Sequence, residues 1–165
     1  MSPTLTYSDT TEGFEEALCG GVTIEERKGE DKREWLRSSV RDALVGREQS
    51  FRECVSQVEA YRSLPKDWDT YGGLPASDSS VRFAKNLLEE LRWLPEVLSP
   101  YVCPISTGVF LEWRSGQSNL YFEIDADSVL FVRREGELVI ERGDDPDLNV
   151  SRAVEVVRRF HRSAV

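Results

Sequence analysis

The residues in this chain whose types and spacing could do chemistry are carboxylates. Glu123, Asp125 and Asp127 alternate through "FEIDAD", and Glu112 stands upstream in "LEWR". Alternation along a strand turns every second side chain the same way, so the three acids share a face, with Glu112 on the matching face of a neighbouring strand. Oxygen clusters of this kind hold Mg²⁺ or Ca²⁺, and on that reading the chain is a metal-dependent hydrolase or nuclease. The same pattern also describes a wet sheet face that ends in a turn, with Asp127 as the turn former. Hard-metal sites draw their ligands from fixed loops or from several elements. The wet face is therefore the leading reading, and no metal and no cofactor are expected. A glycosidase pair needs a groove between two carboxyl groups, and the sequence predicts none.

Nucleophilic chemistry has less to stand on. Cys103 lies between Val102 and Pro104 without an activating neighbour, and Cys54 falls on an apolar helix face, where free cysteine behaves as a small hydrophobe. The single histidine, His161, sits in "RRFHR" with Arg158, Arg159 and Arg162. Cations there complement the end of a helix. As a phosphate site the cluster is weakened by Glu141, Asp144, Asp145 and Asp147 nearby. No dinucleotide, P-loop or nucleophile-elbow pattern occurs, and no enzymatic activity is expected.

Composition narrows the classes further. A chain of 165 residues with 39% hydrophobic and 31% charged residues is globular, and a single core suits that length. The net charge of −9 opposes binding to nucleic acid and suits a partner protein with a basic surface. Three cysteines (Cys19, Cys54, Cys103), none in CxxC spacing, and a polar opening "MSPTLTYSDTTEGFEE" point to free thiols in the cytoplasm. No apolar run is long enough to span a membrane.

The elements follow from periodicity. Residues 1–20 read as a flexible N-terminal segment, with Phe14 and Leu18 able to form one amphipathic turn, and 21–165 read as one domain. "GVTIEE" could add a brief strand. From Asp31 as N-cap, Leu36, Val40, Ala43, Leu44, Phe51, Cys54, Val55 and Val58 mark one face of a helix that Pro65 ends. Gly46 leaves open whether this is one helix or two. A second helix opens at Ser77 or Asp78 and carries Val81, Ala84, Leu88 and Leu91. "LPEVLSPYVCP" reads as a proline-punctuated connection. The period then falls to two. A turn at Gly116-Gln117 sets Trp113 opposite Leu120, Leu111 opposite Phe122 and Val109 opposite Ile124, all on one face. "VLFVRR" and "ELVIER" add two strands. A last helix, capped by Asn149 or Ser151, carries Ala153, Val156, Val157, Phe160 and Ala164. The fold class is α+β: a four-stranded antiparallel meander with about three helices, mainly on one face.

Between the first two helices lies "DWDTYGG". Gly72-Gly73 permits a sharp reversal, and Asp67 and Asp69 can bind amides two residues on. Trp68 and Tyr71 are aromatic anchors with polar tips. Trp68 is expected to plug the gap between helices and sheet while Tyr71 stays exposed, with the edge of Trp113 nearby. The candidate partner-binding residues are thus Trp68, Asp69, Tyr71, Glu112, Tyr121, Glu123 and Asp125.

"LPKDWDTYGGLPASDSSVRFAKNLLEEL", then "PISTGVFLEWRSGQSNLYFEID" and one more strand, is similar to a group of small uncharacterised bacterial proteins. In that group a Trp-Asp-Gly-like loop and a proline precede a helix, and a G-x-x-x-E-W strand pairs with an L-x-x-E-I strand. The resemblance covers about residues 60–132 and departs at Thr70, where a glycine usually follows the Asp. It implies a setting among mobile or defence-associated genes, and it transfers no catalytic residue. The expected function is a non-enzymatic protein-binding module of accessory, inhibitor or immunity type. A small-ligand pocket between sheet and helices is a third reading that the sequence does not locate.

Overall fold

A computed structural model of the chain describes residues 29–144 and 148–163. The expected segment 1–20, the "GVTIEE" strand, Cys19 and Ala164 lie outside them. The chain divides into two units, residues 1–39 and 40–165. The described part of the first is the opening of helix α1 (Gly29–Ala60), where Trp35 and Leu36 are exposed.

Helix α1 runs for 32 residues without a break. Gly46 meets nothing within 4 Å, so its presence costs only helix propensity and one helix results rather than two. The start at Gly29 precedes the expected cap at Asp31. The face read from the sequence is buried only from Phe51 onward, through Cys54 and Val58, whereas Val40 and Leu44 are exposed. A 3₁₀ turn (Tyr61–Ser63) follows. Helix α2 (Asp78–Leu91) begins where expected: Ser77 Oγ accepts a hydrogen bond from the Ser80 amide at 3.1 Å. Helix α3 (Val150–Ser163) starts beyond Asn149, whose Oδ1 accepts from the Arg152 amide at 3.0 Å.

The sheet corrects the expected strand count. Among the described residues it has five antiparallel strands in sequence order: β1 (Tyr101–Ile105), β2 (Gly108–Ser115), β3 (Ser118–Ile124), β4 (Val129–Glu135) and β5 (Leu138–Asp144). The extra strand, β1, holds Pro104 and had read as connection. Proline lacks the amide that an inner strand must share, but at an edge that amide would point outward, so the strand tolerates it. β1 enters β2 through the tight turn at Ser106-Thr107. Gly108 is needed there because a Cβ would collide with the backbone carbonyl of Ile124. The β2–β3 register is the one the apolar pattern predicted: Val109↔Ile124, Leu111↔Phe122 and Trp113↔Leu120.

Those residues face the helices. Phe122 is fully buried, with Trp113 edge-on at 6.0 Å and Phe131 tilted at 5.7 Å between ring centroids. α2 packs on β2 and β3, and α3 packs on α2. The Arg159–Glu141 ion pair at 2.9 Å ties α3 to β5. Phe51, Val58, Leu87, Phe122 and Phe160 belong to one continuous core. Each large side chain removed from water there contributes about 1.5–3 kcal/mol. Among the described residues no helix is long and apolar enough to cross a membrane.

Candidate binding surface

Strand alternation sends a second set of side chains away from this core. Tyr101, Glu112 and Tyr121 are in register across β1, β2 and β3. The adjacent row is Cys103, Phe110, Glu123 and Leu130. Three of the expected binding residues (Glu112, Tyr121 and Glu123) therefore do share a face. The helices of this unit pack on the other side of the sheet.

This face is half apolar. Phe110 stacks on Tyr121 with centroids 5.4 Å apart, and the Arg134 guanidinium lies over the Tyr121 ring at 5.8 Å. Tyr101 is 64% exposed. Glu112 is buried, unlike an ordinary wet-face carboxylate. Its Oε2 accepts from Arg114 Nη2 at 2.6 Å and its Oε1 from Asn119 Nδ2 at 3.3 Å. The bound carboxylate raises the pKa of Arg114 above its ordinary value. Cys103, half-buried on the neighbouring row, has its thiol pKa pushed up chiefly by burial, which makes it a poor nucleophile. Burial also raises the Cys54 thiol.

The loop residues form a separate unit of structure. Asp69 Oδ1 accepts from the amides of Tyr71 at 2.9 Å and Gly73 at 2.8 Å, and these bonds lower its pKa. Asp67 Oδ1 accepts from the Gly72 amide at 2.6 Å. Asp67 and Thr70 both hold φ of 64°, a left-handed conformation that is strained for side chains with a Cβ. The Leu74 amide donates to the Ser106 carbonyl at 2.8 Å and the Ser77 amide to Thr107 at 3.0 Å. The loop is thereby pinned to the β1–β2 turn. Trp68 is not the expected plug: it is half-buried and its Nε1 donates to the Leu74 carbonyl within the same loop at 3.1 Å. A short, self-bonded loop offers its indole a local partner, which an apolar core would not. Tyr71 stands 93% exposed. Trp113, 2% exposed, is a core residue whose Nε1 donates to the Leu98 carbonyl at 2.8 Å, so its edge is not on the surface.

The carboxylate set of the metal reading is dispersed. Asp125, beyond the end of β3, accepts from Thr107 Oγ1 at 3.0 Å, Asp127 is an exposed turn residue, and Glu112 is held by Arg114 and Asn119. Among the described residues no three His, Cys, Asp or Glu side chains are placed to share a metal ion. His161, expected on the exposed helix end, is half-buried, with its ring edge on Phe160 at 5.4 Å. Burial lowers its pKa below the usual 6.5.

Sequence reasoning missed Tyr101, because β1 was not recognised as a strand, and missed the burial of Glu112. Both follow from the pairing of Tyr101–Ile105 with β2, which Pro104 disguises as a connection. Comparison with protein-family models, with curated proteins and with solved structures gives no match to this chain.

Proposed function

We propose that this chain is a non-enzymatic protein-binding module that takes its partner on the outer face of the sheet. The observation that carries the reading is the in-register row Tyr101–Glu112–Tyr121, flanked by Phe110 and Glu123, on the side of the sheet opposite the core. Aromatic anchors beside charged groups are the composition that dominates interface energetics. A net charge of −9 selects a partner with a basic surface. The resemblance to bacterial proteins of mobile and defence-associated neighbourhoods favours an accessory, inhibitor or immunity-type subunit acting in the cytoplasm. Tyr71, at the tip of a rigid loop, is a second contact.

The test is quantitative affinity purification with the full chain against a Tyr121→Ala, Glu123→Lys double variant, with Tyr71→Ala assayed separately. Both positions are half-buried, and Tyr121→Ala gives up the stacking on Phe110, so the double variant is assayed well below its own melting temperature, where its circular dichroism matches that of the parent. The expected result is loss of a specific co-purifying protein at unchanged fold. Full retention of that protein by the double variant removes the sheet face from the interface.

A further inference from the structure

Charge is distributed unevenly along the strands of the outer sheet face, the surface that the reading above gives to a partner. Arg114, Asn119, Arg134 and Val139 form one row in register from β2 to β5. The middle row is Tyr101, Glu112, Tyr121, Val132 and Arg142. The far row holds Phe110, Glu123, Leu130 and Asp144. Arginines thus occupy one end of the face and acids the other. Glu112 is neutralised within the chain by Arg114 at 2.6 Å. Glu123 is not. Half-buried between Phe110 and Leu130, it has neither a hydrogen bond nor an ion pair among the described residues. A partly desolvated charge without a partner is a cost that a docked cation removes.

Across the three rows Arg114, Arg134 and Arg142 balance Glu112, Glu123 and Asp144, on a chain whose net charge is −9. Two copies of so acidic a chain repel each other over most of their surface, and a neutral, half-apolar face is where they can meet. The charge pattern also selects the symmetry. Two sheets pack face to face with their strands nearly aligned, and a two-fold axis between them lies either along the strands or across them. An axis along β3 exchanges β2 with β4, so Arg114 meets Arg134 and Glu123 meets its own copy, which is repulsive. An axis across the strands at the middle row exchanges the outer rows instead. Asn119 of one copy then lies over Glu123 of the other, and Arg114 and Arg134 bracket that carboxylate from β2 and β4. Tyr121 and Val132 sit at the centre of the contact. We infer that, in the absence of a partner, a second copy of this chain closes the face through this two-fold contact. Five strands about 4.8 Å apart, each about seven residues of about 3.4 Å, offer about 500–600 Å² per copy. That is near the floor for a specific interface, so the dimer is weak, half-formed at about 10–100 µM.

Sedimentation equilibrium of the full chain from about 5 to about 500 µM should show a reversible monomer–dimer equilibrium, weakened about three-fold or more between about 50 and about 500 mM NaCl. Dilution of the ¹⁵N-labelled chain over the same range should move the amides of Tyr121, Glu123 and Arg134 and leave those of Leu36 and Leu44, on the exposed stretch of α1, in place. Glu123→Arg and Arg134→Glu should each weaken association by about ten-fold or more, by setting like charges against each other. An equimolar mixture of these two variants should associate more tightly than either alone, because the new cation of one meets the new acid of the other, and a misfolded variant would give no such rescue. A chain that stays monomeric throughout, shifts at Leu36 and Leu44 in place of the sheet, or a mixture no tighter than its components overturns the two-fold contact. Self-association and the binding reading on which it rests fail separately. If the chain is monomeric while Tyr121→Ala, Glu123→Lys still loses its co-purifying protein, the second copy is ruled out and the binding face stands. If the chain dimerises through these residues while that variant keeps the protein, the two-fold contact stands and the partner binds elsewhere.

Discussion

Truncating Arg47 to alanine should be among the most damaging single changes on the surface of helix α1. Its guanidinium sits at the C-terminal end of α2, where a helix leaves carbonyls without intrahelical donors. Nε donates to the Val97 carbonyl at 3.0 Å, Nη1 to Arg92 at 2.7 Å, and Nη2 to Leu91 at 3.1 Å and also to Leu94. The same group lies over the Phe51 ring at 5.2 Å. The Leu91 and Leu94 carbonyls also accept from the amides of Leu94 and Val97, so the loss falls mainly on Arg92 and Val97. At about 1–1.5 kcal/mol net for each such bond, Arg47→Ala should cost about 2–3 kcal/mol. For a domain of this size that is a fall in melting temperature of about 4–12 °C. Arg47→Lys keeps the charge but not the fork, and should recover less than half of the loss. Arg52→Ala, whose side chain pairs with Glu48 one turn away on an exposed surface, is the control and should stay within about 0.5 kcal/mol of the parent. Urea denaturation of the three variants measures this directly. An Arg47→Ala protein as stable as the Arg52→Ala control would refute the claim that this side chain fastens α1 to α2.

Three further outcomes follow from particular contacts. Thr70→Gly should stabilise the fold by about 0.5–1 kcal/mol in the same denaturation assay, since the left-handed penalty of a β-carbon exceeds the entropic cost of glycine; a destabilised variant would contradict the φ of 64°. Gly108→Ala should cost about 2–4 kcal/mol, because the colliding atom is the backbone carbonyl of Ile124 and cannot swing aside. Burial depresses the folded-state pKa of His161 below its unfolded value of 6.5. The unfolded chain then binds the extra proton first, so this group's contribution is intact above pH 6.5 and declines as pH falls toward the folded pKa. Melting temperatures from about pH 7.5 to about 5.5 should fall more steeply for the parent than for His161→Gln, and identical slopes would dispose of the burial argument.

Local chemistry was legible where it acts over a few residues. Ser77 and Asn149 cap their helices because a side-chain oxygen near free amides is a short-range event. The β2–β3 pairing followed from requiring opposed residues to share a face. The fate of Trp68 was not legible. Its indole could satisfy its N–H either in the core gap or on its own loop, and the loop's internal bonds at Asp67 and Asp69 decided for the second. Arg47 gave no hint either, since its four carbonyl partners lie more than forty positions away in the chain.

By itself the sequence determined an α+β chain with an antiparallel meander and the identity of the apolar residues on its inner side, because burial imposes a period of two on strands and of about 3.6 on helices. Tertiary structure alone decided that Tyr101 extends the sheet by one strand, that Glu112 is buried beside Arg114 rather than hydrated, and that the remaining carboxylates stay apart. Each of these depends on which strand lies alongside which and on the side chains that meet across the pairing, and the apolar period of a strand does not specify its neighbour.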